Sequence, residues 1–196
     1  MNPSERTLPC LGRRGVAAVE FAIMLPFLLT LTLATVDFVS LLRDNLRIER
    51  VAGEVATLVS QYETLRAGGA ANDFTDIFDV AAKIADPLTV TASGGTVIVS
   101  GLAETGTGPT VLWQQSRGLP GNLSAFGAAG GRVTFPAAVP DPVLAPGQGA
   151  VVVEVFLQRQ PWTLPLLQEW LPASYARLWS FAVQRPRLVG ILRVTA

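Results

Sequence analysis

Glu20 is the only charged side chain in residues 16–36, an apolar run that begins directly after Arg13-Arg14-Gly15. A carboxylate placed in a bilayer costs roughly 2.5–3.5 kcal/mol on insertion scales. A membrane-length segment that keeps such a group five residues past a glycine is built to leave the lipid and pack beside a partner that meets the charge. Elsewhere the means for chemistry are sparse. The chain has no histidine, one cysteine (Cys10, ahead of the run) and one lysine, Lys83. Without imidazole neither a Ser/His/Asp nor a Cys/His set can form, and the commonest metal ligands are missing as well. No Gly-x-x-x-x-Gly-Lys loop is present. Ser93-Gly94-Gly95 joins two predicted strands, whereas a phosphate loop leads from a strand into a helix. Asp73, Asp76 and Asp79 lack the alternating oxygen ligands of a calcium loop and suit the positive end of a helix instead. The reading is no enzyme, no metal and no cofactor.

The elements that must carry Glu20 follow from hydropathy. Residues 16–36 span about 31 Å as a helix, close to a hydrocarbon core. The apolar run continues past Asp37 to Leu42, so 16–42 is the membrane helix. Pro26 either kinks it or is an ordinary tolerated membrane proline. From residue 43, Leu46, Val51, Val55, Leu58, Val59, Tyr62 and Leu65 recur at helical spacing against a charged face. This predicts an amphipathic extension over 43–66, ended by Gly68-Gly69. Residues 67–196 then form a separate domain. Asn72-Asp73 caps a short helix over 74–85 with Phe74, Ile77, Phe78, Ala81 and Ile84 inward, closed by Asp86-Pro87. Residues 88–92 and 96–100 read as a hairpin about Ser93-Gly94-Gly95. Further strands are expected at 110–114, 150–158 and 188–195, the last with Gly190 as a possible bulge. The fold class is α+β: the long helix continues into an amphipathic helix packed on a small antiparallel sheet.

Two inserts interrupt the sheet. Residues 116–149 are rich in Gly, Pro and Ala, and loops of that length are usually functional or disordered. Residues 161–185 hold Trp162, Leu166, Leu167, Trp170, Leu171, Tyr175, Leu178, Trp179 and Phe181, either a helical lid over the sheet edge or an apolar contact surface.

The block Gly15, Val19, Glu20, Phe21, Ala22, with Leu25-Pro26 beyond it, resembles the processing site of type IV pilins and pseudopilins, and most closely the TadE/TadG-like pseudopilins of the tight-adherence (Flp) pilus. Leu58-Val59-Ser60-Gln61, Trp113, Val153-Glu154-Val155 and Arg185-Pro186-Arg187 are similar to further family segments. The family commonly has cysteines in its soluble domain, and this chain has none after Cys10. The resemblance implies a leader over 1–15, cut by a prepilin peptidase between Gly15 and Val16. It makes Glu20 and Phe21 the fifth and sixth mature residues, used in assembly. Its implied partners are the peptidase, other pilins and pseudopilins, the inner-membrane assembly platform and membrane lipid.

Charged residues make up only 15% of the chain, mean hydropathy is +0.40 and the formal net charge is +0. No polybasic surface for nucleic acid is indicated. Arg6, Arg13 and Arg14 place the N-terminus in the cytoplasm by the positive-inside rule, and the C-terminal domain in the periplasm of a bacterial inner membrane. Other readings of the same residues are a Sec signal peptide cut after Ala34, an unprocessed anchor carrying a binding module, and a type II secretion pseudopilin.

Overall fold

The structure, a computed structural model, describes residues 14–68, 72–106, 108–136, 144–159 and 176–195. Of the expected leader only Arg14 and Gly15 fall among them. Trp162, Leu166, Leu167, Trp170, Leu171 and Tyr175 lie outside the described residues.

Helix α1 (Arg14–Val59) runs through Pro26 and past Arg43 as one element. Its first part is exposed all round and apolar, long enough and apolar enough to cross a membrane. Threonine hydroxyls in this part bond back to the helix itself: Thr30 to the Pro26 carbonyl, Thr32 to Leu28 and Thr35 to Leu31, each at 2.8 Å. That leaves no bare hydroxyl for lipid to solvate. From Ala34 one stripe turns inward, recurring by three and four: Ala34, Asp37, Leu41, Asp44, Ile48, Val51 and Val55. Leu46 was expected on that stripe and is 65% exposed. It lies about 140° around the helix from Val51, and Ile48 fills the inward position.

The amphipathic extension stops at Val59, short of the expected residue 66. The chain tightens over Ser60–Tyr62 through bonds three residues apart, Gln61 N–H to the Leu58 carbonyl and Tyr62 N–H to Val59. The Ser60 carbonyl accepts from Arg187 N–H at 2.8 Å. Thr64–Arg66 then forms strand β1, which buries Leu65 completely. Leu65 is therefore core, as its spacing implied, but it reaches the core from a strand.

Helix α2 (Asp73–Ala85) forms as its caps dictate. Asn72 accepts from Phe74 N–H at 3.0 Å, and Phe74, Ile77, Phe78 and Ala81 are buried. Ile84 is half-buried, and Ala85 completes the inward face. Asp73 accepts three hydrogen bonds from Arg66, from the backbone N–H and Nη2 at 2.8 Å and from Nε at 3.3 Å, and this pairing holds its carboxyl below the usual range. Asp79 pairs with Arg117 at 2.7 Å.

Residues 88–94 form turns, not a strand. Val90 is buried there as a plug between α2 and the sheet. The hairpin sits one turn later, between β2 (Gly95–Glu104) and β3 (Pro109–Gly118). The Glu104 carboxylate accepts from the N–H groups of Gly106 and Gly108 in that turn. β4 (Gly149–Gln158) lies where its run of β-branched residues places it. β5 (Arg177–Gln184) falls inside the second expected insert, so Leu178, Trp179 and Phe181 are strand residues. Only Arg193–Thr195 of the expected last strand is extended, as β6, and Gly190 lies in the bend before it. The sheet order is β3-β2-β4-β5, all antiparallel, while β1 and β6 form a separate parallel pair.

Strand alternation gives the sheet two faces. Val97, Val99, Val151, Val153, Val155 and Leu157 point to the helices and form one core with Ile48, Val51, Val55, Val59 and α2. Leu102, Ala150 and Val152 point the other way, where Phe126 of the 119–136 segment seals a second, smaller core. The first long loop is therefore a cover for this face over its described part.

Candidate functional site

Gly15, Val16, Glu20 and Phe21 lie in the first two turns of α1. Gly15, Val16, Val19 and Glu20 line one shallow groove, as residues one turn apart must. Two features bear on this end of the helix, the first of them shared with Gly53 further along α1. A Cβ built on Gly15 would meet nothing within 4 Å, so internal packing gives no reason for a glycine there. Glu20 is exposed and has no hydrogen bond or ion pair among the described residues. Phe21 and Val16 are each about 60% exposed. Among the described residues nothing answers the glycine, the carboxylate or the phenyl ring.

A second polar centre was not legible in the sequence. Glu154 stands in β4 on the face away from the helices and is fully buried. The Ser124 hydroxyl donates to its Oε2, Ala125 N–H to Oε1 at 2.9 Å, and Trp179 Nε1–H to Oε1 at 3.3 Å. Ser124 Oγ in turn accepts from Phe126 N–H at 3.1 Å. The carboxyl group thus fastens the 119–136 cover to the sheet and to β5. Burial pushes its pKa up, against the three donors, which pull it down. The one sequence signal was a lone charge in Val-Val-Val-Glu-Val-Phe, a position that strand alternation places on the face opposite the main core. Among the described residues the groups bonded to the carboxyl are a hydroxyl, a backbone N–H and an indole N–H, and the arrangement acts as a latch.

The latch has a pH signature. A carboxyl whose folded pKa is raised contributes stability that is complete below the unfolded value and is lost as pH rises through the folded value. Glu154→Gln keeps an acceptor for the three donors and cannot titrate. The melting temperature of the natural chain relative to Glu154→Gln should therefore decline steadily from pH 4 to pH 8. Parallel melts with a constant difference across that range would show that Glu154 does not titrate abnormally.

No curated protein and no solved structure matches the chain. A family model described as TadE-like protein matches residues 15–57. The matched stretch opens at Gly15, holds Glu20 and Phe21 and runs along α1 to its last turn. Over this N-terminal segment, less than a quarter of its length, the chain is similar to TadE-like protein.

Proposed function

We propose that this chain is a pseudopilin or minor pilin of tight-adherence pilus biogenesis, cut after Gly15 by a prepilin peptidase and assembled through α1. The observation that carries the reading is the pair of unanswered residues on an exposed apolar helix. Among the described residues, Gly15 fills a position that packing leaves open, and Glu20 stands in a membrane-length run without a hydrogen-bond or ion-pair partner. An outside enzyme that needs small residues at its cut, and a neighbouring subunit that offers a positive group, account for both. In this reading the helix is stored in the bacterial inner membrane with its N-terminus in the cytoplasm. The assembly platform then moves it sideways into contact with other pilins. No catalytic role falls to the chain itself.

Two measurements test it. N-terminal sequencing of membrane-extracted protein should begin at Val16; a start at Met1 or Thr35 would reject processing at Gly15. A periplasm-only phosphatase fused after Ala196 should be active, because cleavage after Gly15 on the cytoplasmic face leaves the other end outside. Activity of a cytoplasm-only reporter at the same point would reverse the orientation.

A further inference from the structure

Arg43, Arg47 and Arg50 fall within about 60° of one another on α1, one turn after another. With Ser40, Leu46, and Ile84 and Pro87 from the end of α2, they line an open groove of about 620 Å³. Arg43 and Arg47 have no ion-pair partner among the described residues. Arg50 reaches only Glu54, at 3.9 Å and with both side chains exposed, a contact of little energy. Asp44 also borders the groove, but its carboxylate is held by Arg159 at 2.7 Å. The groove is therefore positive and unneutralised.

Its height along α1 identifies what it faces. Asp37 is buried on the inward stripe, so it does not end the lipid-facing surface. Phe38, Val39 and Leu42 continue that surface outward, each more than 40% exposed. From Val16 to Leu42 the helix rises about 40 Å, the hydrocarbon core plus one interfacial layer. Arg43 follows at once, level with headgroup phosphates, and Arg47 and Arg50 stand one and two turns above. Val39 and Leu46 share their face and extend apolar surface beside the guanidinium groups.

We propose that this groove between α1 and the end of α2 binds the headgroup of an anionic phospholipid, and so fixes how the soluble domain sits on the membrane. The acyl chains lie along Val39 and Leu42 while the phosphate meets the arginines, whose planar forks suit phosphate oxygens. The inference requires α1 to cross a membrane, but not cleavage at Gly15 or a pilus.

The test uses the full chain in a neutral detergent, read by native mass spectrometry with equimolar phosphatidylglycerol and phosphatidylcholine. Each arginine near an anionic surface is worth about a fivefold preference, so phosphatidylglycerol adducts should exceed phosphatidylcholine adducts at least tenfold. Arg43→Gln/Arg47→Gln/Arg50→Gln should bring the ratio near one, and Arg193→Gln, on β6, should leave it unchanged. Arg43→Gln/Arg47→Gln, which spares the Arg50–Glu54 contact, is the second variant and should lose most of the preference. A ratio near one in the natural chain, or a preference that survives the triple substitution, overturns the proposal. Complete displacement of the lipid by 10-fold excess inorganic phosphate would make this a free-anion site and overturn it too. A Val16 N-terminus alongside either failure would leave the proposed function standing.

Discussion

Glu20→Leu is expected to leave insertion, folding and cleavage intact and to abolish surface pili. Removing the carboxylate removes an insertion cost of roughly 2.5–3.5 kcal/mol, so the variant should enter the membrane at least as well. Glu20 has no hydrogen bond or ion pair among the described residues, so the fold loses no polar contact. Under the proposed function, what it loses lies outside the molecule: the ammonium that cleavage would create on Val16 of a neighbour, which leucine cannot replace. A charge pair in a low-dielectric helical bundle is better at fixing the stagger between helices than at adding net stability. Loss of the pair should therefore appear as failed assembly and not as degradation. Gly15→Arg is the companion variant. A Cβ at Gly15 meets nothing within 4 Å among the described residues, so under the proposed function the effect of this variant reports on the peptidase. It should give neither mature protein nor pili. Normal piliation in Glu20→Leu would sink the charge-pairing mechanism while leaving the apolar helix and the family resemblance in place.

What the sequence disclosed, and what it hid, divides along one physical line. Local patterns with local causes were legible. The membrane-length helix, the Asn72 cap with its inward Phe74, Ile77, Phe78 and Ala81, and the β-branched run of β4 each follow from a few adjacent residues. Features decided by distant partners were not. Val59 ends α1 because Ser60 bonds Arg187 and Leu65 is drawn into a strand beside β6, and neither is near in sequence. β5 was hidden because both of its faces are covered. Leu178 and Ala182 pack toward the helices while Phe181 and Val183 pack toward the loop, so alternation is erased. The hairpin was placed one turn early because residues 88–92 alternate like a strand, yet they are needed as the link from α2 to β2. Glu154 was placed in the right strand, but its burial depends on Ser124 and Trp179, thirty and twenty-five positions away. At the N-terminus the reverse holds. Gly15 and Glu20 stand out in the sequence, and the described fold makes no use of them.

Trp113→Ala is expected to destabilise the soluble domain by about 3–5 kcal/mol from the lost ring and its cavity. That is a large part of the roughly 5–15 kcal/mol that holds a typical domain together. The ring is 9% exposed, packs edge-on against Phe74 at 5.6 Å and donates from Nε1 to the Leu192 carbonyl at 2.9 Å. It reaches this position through a bulge. The register slips between Gly101 and Leu102, so that Gly101 faces Trp113 while Leu102 faces Val111. Val111 and Trp113, two positions apart, would share a face in a regular strand. The extra residue, Leu112, sends Val111 into the small core under Phe126 and Trp113 into the main core under α2. Gly101 makes room for the ring: a Cβ there would stand 2.2 Å from Trp113 Cε2. Gly101→Ala should therefore also unfold the domain readily, by driving the indole off the sheet. Because both changes act on the same contact, their effects should not add. Denaturant melts of the full chain in detergent should find the double variant no less stable than Trp113→Ala alone, since the added methyl then has no ring to strike. Full additivity would show that Gly101 serves the backbone at the bulge and not the tryptophan.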